Sequence, residues 1–146
     1  MIERSWPKAA SALFAAFTAA LVSMRRRYVL VVVQGRSMHP TLADGDRMLV
    51  RRASGGYEVG QIVVFKTPGV RLDGDPPWRI KRVVALAGDP APNSGGNVDS
   101  LRAVIPLGCL AVQGDNPRSE TSEQIGYIAV ESVLGTANPR YRLPRG

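Results

Sequence analysis

The chain has 146 residues, 45% of them apolar, and 19 Lys and Arg against 12 Asp and Glu give it a formal charge of +7. That is one domain with at most an appendage, long enough to bury a core without disulfide or metal staples. A single cysteine excludes an intramolecular disulfide or a Cys-x-x-Cys site, a single histidine leaves a zinc hydrolase short of ligands, and basic residues scattered outside any recognisable module argue against nucleic acid.

From Ala9 to Met24 the chain is uncharged and alanine-rich, with Leu13, Phe14, Phe17, Leu21 and Val22 as its bulky members. It falls short of the ~20 residues of a spanning helix, so it reads as a marginal transmembrane helix, an interfacial helix or an export signal. Arg4 and Lys8 precede it and Arg25-Arg26-Arg27 follow, a bias that by the positive-inside rule favours a cytoplasmic body. Tyr28 to Val33 predicts a strand buried on both faces or leaning on a bilayer. It leads to Gly35 and Pro40, which set Ser37 on a strand-to-turn corner. Taken alone, such a serine is a turn residue.

After the Ala43-Asp44-Gly45-Asp46 turn, Arg47 to Arg51 predicts a second strand and Gln61 to Lys66 a third, separated by the Ser54-Gly55-Gly56 turn. Thr67 to Trp78, rich in Pro and Gly, predicts a loop. The strand Trp78 to Leu86 follows, and its alternation sets Lys81 on one side with Val83 and Ala85, and Arg82 on the other with Ile80 and Val84. Asp89 to Asn97 reads as a surface excursion. Leu101 to Ile105 and Cys109 to Gln113 predict further strands, with Cys109 as a small packing residue. The latter leads into Gly114-Asp115-Asn116, by itself a simple turn. Asn138 to Gly146 reads as a loose basic tail.

Three of these segments taken together carry a specific signal. Ser37-Met38-His39-Pro40-Thr41-Leu42 resembles the nucleophile box of the type I signal peptidases. Arg79-Ile80-Lys81-Arg82-Val83-Val84-Ala85-Leu86-Ala87-Gly88-Asp89 resembles the box that holds their general-base lysine, and Gly114-Asp115-Asn116 opens what resembles their last box, all in the family's order. The resemblance implies a mainly β, signal-peptidase/LexA-like body of short antiparallel strands with one N-terminal apolar helix. Larger bacterial members insert a second β domain after the lysine box, and the gap here is too short for one, so this is a minimal form. Residues 1–28 would be an uncleaved single-pass membrane anchor and 29–146 the peptidase domain, outside the cytoplasm, against the charge bias noted above.

The resemblance further implies a serine endopeptidase without cofactor or metal. Its partners would be membrane lipid and a signal peptide or dedicated exported precursor, cut after small residues of the A-x-A type, with no nucleic acid. Ser37 and Lys81 would be catalytic. Ser119 matches the serine that orients the lysine amine, with Ser122 as the alternative, because the spacer is one residue short. The oxyanion would face the Ser37 N–H and the position of Gly35, where some relatives carry a hydroxyl and this chain has none. Gly114, Asp115 and Asn116 would be a structural motif, while Thr121 and Glu123 replace the Asp and Arg of the family's last box.

The residues themselves agree on the base. His39 lies two positions from Ser37 on one tight turn, where its ring is poorly placed to take the serine proton. Of Lys8, Lys66 and Lys81, only Lys81 sits within an apolar strand. A free lysine needs a shift of about three units, on the order of 4 kcal/mol, to act as a base near neutrality, and apolar neighbours supply a shift of that sign. Two other readings compete: a degenerate family member acting as a membrane-bound binding module, and a LexA-like self-cleaving peptidase. The latter normally carries a helix-turn-helix, for which the residues before Tyr28 are too few and too apolar.

Overall fold

The computed structural model describes residues 6–53, 55–66, 77–92, 104–119 and 125–143. Helix α1 (Trp6–Arg27) is followed by β1 (Tyr28–Val32), β2 (Arg47–Arg52), β3 (Ile62–Lys66), β4 (Trp78–Leu86), β5 (Cys109–Gln113), β6 (Ile128–Ala129) and β7 (Val133–Leu143). The strands form one 7-stranded sheet in the order β1-β2-β7-β3-β4-β5-β6. Every pairing is antiparallel. This is the mainly β body with one N-terminal helix that the sequence predicts, and residues 6–27 hold a single helix with no helix-turn-helix.

The α1 sequence is helical because alanine loses no side-chain entropy there and no glycine interrupts it. Leu13, Phe14, Phe17 and Met24 are exposed along it, and Arg25, Arg26 and Arg27 close its last turn. Among the described residues no helix is long and apolar enough to cross a membrane. That corrects the transmembrane reading of 9–24. Alanine offers little apolar area per residue, and five bulky side chains do not make up the difference.

Two clusters form most of the core. Val33, Met38, Leu42, Met48, Val50, Ile62, Val64, Ile80 and Ala137 make one, so the turn around Ser37 is itself plugged into the sheet by Met38 and Leu42. Val63, Phe65, Val83, Leu110, Val112, Ile128 and Val133 make the other. Cys109 packs half-buried against a third, small group of Ala85, Ile105 and Ala111.

Three expectations change. β1 is an edge strand with Tyr28, Leu30 and Val32 exposed, not a strand buried on both faces, because among the described residues only β2 pairs with it. Of the strand expected over 101–105, the described part is a single bridge from Val104 to Pro90. The largest difference is β7, at 11 residues the longest strand, which occupies the middle of the sheet where a loose tail from Asn138 is expected. Its register with β2 jumps between Met48 and Val50, which pair with Arg142 and Ala137. Asn138 to Tyr141 therefore bulge out of the ladder, where Pro139 needs no donor.

Candidate active site

The loop that carries Ser37 is closed at its mouth by backbone bonds, Val33 N to Asp46 O at 2.8 Å and Gly45 N to Val33 O at 2.9 Å. Inside it, Gly35 adopts φ 81°, a left-handed conformation that suits glycine. The Gly35 N–H donates to Asp44 Oδ1 at 2.7 Å. Asp46, only 2% exposed, accepts from Ala43 N at 2.8 Å and from Arg142 Nη1 of β7 at 3.1 Å. Burying Met38 and Leu42 in the first cluster, each worth about 1.5–3 kcal/mol, holds the loop down and leaves Ser37 half-buried at a groove.

Lys81 enters the same groove from β4. It is 4% exposed, and its same-side neighbours Val83 and Ala85 are buried, as the strand alternation requires. Val63, across the ladder from it, is buried too. Lys81 Nζ donates a short hydrogen bond to Ser119 Oγ.

The turn after β5 ties these two groups together. Asn116 N donates to Ser37 O at 3.0 Å and Asn116 Nδ2 to Arg36 O at 3.0 Å, while Ser119 N donates to Asn116 O at 2.8 Å. Asn116 is thus the hub between the serine loop and the lysine's partner. Gly114 is buried directly against Ser37 O and Ser119, where a Cβ has no room. Asp115 takes a bidentate pair from Arg82, Nε to Oδ1 at 2.8 Å and Nη2 to Oδ2 at 2.6 Å, and Arg82 Nη1 also reaches Gly60 O at 2.7 Å.

Hydrogen bonding to Arg82, with help from Thr41, holds the Asp115 carboxyl below its ordinary value against the opposing effect of burial, and the same bond raises Arg82. A carboxylate held low in the fold stabilises it above the unfolded pKa of about 3.9, and that contribution is lost as pH falls through the folded value. Asp115→Asn is therefore expected to lower stability at pH 7 by about 1.5–3 kcal/mol, and the gap to wild type should close on acidification below pH ~4. Urea unfolding at several pH values checks this; a gap independent of pH would remove the ion pair from the account.

Of the residues that the sequence singles out, the structure brings Ser37, Lys81, Ser119, Gly114 and Asn116 to one place, with Asp115 tied to Arg82 beside them. Ser122, Thr121 and Glu123 lie outside the described residues. His39 is exposed on its turn. Gly35 departs from its expected oxyanion role, since its N–H is already given to Asp44. Sequence reasoning missed Arg142 on Asp46, Asp44 on Gly35, and the pairing of Arg82 with Asp115. The last was signalled by Arg82 lying opposite Lys81 in the strand alternation.

The groove has a volume of about 510 Å³ and runs between β1 and the start of β4, lined by Val29, Val31, Val64, Ile80 and Leu134 with Gln34 and Arg79 at its polar positions. A sequence model described as "Signal peptidase, peptidase S26" matches residues 6–98. The chain is 30% identical over 162 residues to thylakoidal processing peptidase 1, chloroplastic, of Arabidopsis thaliana, an alignment that takes in 89% of this chain and 47% of that protein. It is 27% identical over 143 residues to signal peptidase I of Bacillus caldolyticus, with 75% of this chain and 77% of that protein aligned. A probable signal peptidase I-1 of Synechocystis sp. is 28% identical over 132 residues, covering 72% and 66%. The chain spans about half the length of the thylakoidal relative.

Proposed function

The chain belongs to the signal peptidase family, peptidase S26, and from that membership we propose that it is a serine endopeptidase that removes signal peptides or matures an exported precursor, with Ser37 as nucleophile and Lys81 as general base. One observation carries the reading. A buried lysine shares a groove with Ser37, and its hydrogen-bond partner Ser119 is tied through Asn116 to the serine's own carbonyl. Two chemically complementary groups from β4 and a distant loop are thereby referenced to one turn.

In the proposed mechanism an extended substrate lies along the open edge of β1, whose outer N–H and C=O groups have no strand partner among the described residues. The apolar groove takes small side chains, which fits a cut after A-x-A. Burial penalises the charged form of an amine, so this pocket suits a neutral base. Lys81 Nζ takes the Ser37 Oγ proton as Oγ attacks the scissile carbonyl. The oxyanion faces the Ser37 N–H, and Lys81 then returns the proton to the departing amine. A water activated by Lys81 hydrolyses the acyl-enzyme and frees Ser37. Ser119 Oγ, by accepting from Nζ, turns the amine lone pair towards the serine. With no hydroxyl at Gly35 and its N–H given to Asp44, the second oxyanion donor comes from elsewhere in the substrate-filled groove.

We further divide the chain into a membrane-associating segment, residues 1–28, and a peptidase domain, 29–146, acting on the extracytoplasmic side. The exposed apolar side chains of α1 support an interfacial placement. The test of the peptidase reading is mass spectrometry of an A-x-A precursor incubated with the full chain in lipid or detergent. Cleavage after the small residue should fall at least about 10⁴-fold in Ser37→Ala. Undiminished cleavage in that variant would assign the activity to another group.

A further inference from the structure

A second cavity, of about 580 Å³, shares no lining residue with the Ser37 groove. It opens between β2, the start of β3 and the Asn138–Tyr141 bulge of β7, and the residues with chemistry to offer are Tyr28, Arg51, Gln61, Arg82, Asn138 and Tyr141. We propose that this cleft is a binding site for the headgroup of an anionic glycerophospholipid, and the proposal rests on the membrane-surface reading given above.

Three observations support it. The first is charge without a partner. Arg82 is already neutralised by Asp115, whereas Arg51 is exposed and its guanidinium takes part in none of the ion pairs formed among the described residues. It is a free planar fork suited to a phosphodiester. The second is an orphaned acceptor. Gln61 lines the cleft, and its Oε1 is fully buried with no hydrogen-bond partner among the described residues, a cost relieved when the side chain turns out to meet a donor in the cleft. A polyol headgroup such as glycerol brings a hydroxyl donor on the same molecule as the phosphate, so one ligand answers both Arg51 and Gln61. A bare phosphate dianion answers only the arginine.

The third observation is depth. Tyr28, on the cleft wall, directly follows Arg25-Arg26-Arg27 at the foot of α1, and it is the cross-strand partner of Arg51. A helix that buries Leu13, Phe14 and Phe17 in a bilayer surface carries its ends at headgroup level, and the cleft beside its foot comes to rest at the same height. Tyr28 and Tyr141, both partly exposed, are amphipathic rings of the kind that settle in that layer.

The experiment measures flotation of the full chain with phosphatidylcholine vesicles, with and without one fifth phosphatidylglycerol. Lys66→Gln, at the far end of β3, serves as a charge-matched control. Wild type should bind the anionic vesicles preferentially. Arg51→Gln should weaken that binding about tenfold and Gln61→Leu should weaken it without any change in charge, while Lys66→Gln changes it less than about twofold. Equal losses in Arg51→Gln and Lys66→Gln would overturn the site in favour of diffuse attraction. Equal binding to both vesicle types, or to neither, would overturn it as well. Displacement by inorganic phosphate beyond that caused by chloride at matched ionic strength would assign the cleft to free anion instead. Cleavage of a soluble A-x-A peptide by Arg51→Gln should match wild type, so failure of the lipid site is distinguishable from failure of the peptidase reading.

Discussion

Lys81→Met should lower kcat on an A-x-A peptide by about 10³-fold or more while KM stays within a factor of about two. Methionine is unbranched and of similar reach, so it fills the slot between Val83, Val63 and Ser119 without opening a cavity, and the fold should persist. What it lacks is a nitrogen lone pair. Lys81→Arg makes the complementary test, because a guanidinium keeps the positive charge yet stays protonated at any working pH. Both variants should be inactive under the proposed mechanism. Activity retained by arginine alone would mean that the position supplies charge and not proton transfer, and activity above about a tenth of wild type in Lys81→Met would move the base elsewhere.

Gly114→Ala should damage stability and turnover together. The added Cβ would fall within contact distance of Ser37 O and of Ser119 Oγ and Cβ, and a carbonyl held by Asn116 N cannot withdraw. Overpacking of this kind costs about 1–3 kcal/mol. The strain, however, is applied to the two elements that align the proposed nucleophile and base, so kcat should fall about 10²-fold at temperatures where the variant remains folded. Paired measurement of denaturation midpoint and kcat decides the matter. A destabilised variant with unchanged kcat would make Gly114 a packing residue only. Gly135 offers the comparison, since the atoms nearest its missing Cβ belong to Arg51 and Arg52. Gly135→Ala should destabilise through the sheet.

How much of this was legible in the sequence depends on the reach of each interaction. Lys81 could be read because strand alternation is a local rule, and β4 obeys it from Lys81 to Leu86, although Ile80 on the other side is buried too. The Ser37 corner could be read from Gly35 and Pro40 for the same reason. β7 could not, because Gly135, Asn138 and Pro139 mimic turn chemistry in a strand that tolerates them through close packing on Arg51 and a bulge. The Arg142 clamp on Asp46 joins residues 96 positions apart, and nothing local marks either as the other's partner. The helix was placed correctly, but its relation to a membrane turned on alanine content more than on the absence of charge.

The position of β7 bears on when the proposed peptidase would first become able to cut. β1 with β2 and β3 with β4 and β5 are pairings between segments close in the chain, and they hold Ser37, Lys81 and, just beyond β5, Asn116. Within the sheet the two halves are joined by β7, which lies between β2 and β3 and also supplies Arg142 to the serine loop, while Asn116 links them at Ser37. A ribosome that has delivered Ser37, Lys81 and Ser119 has therefore made two sets of paired strands that still lack the central one. Long-range strand insertion is slow and comes late. Under the proposed function, synthesis itself acts as the safety catch, and proteolytic competence arrives only after residues 133–143 have emerged and inserted between β2 and β3.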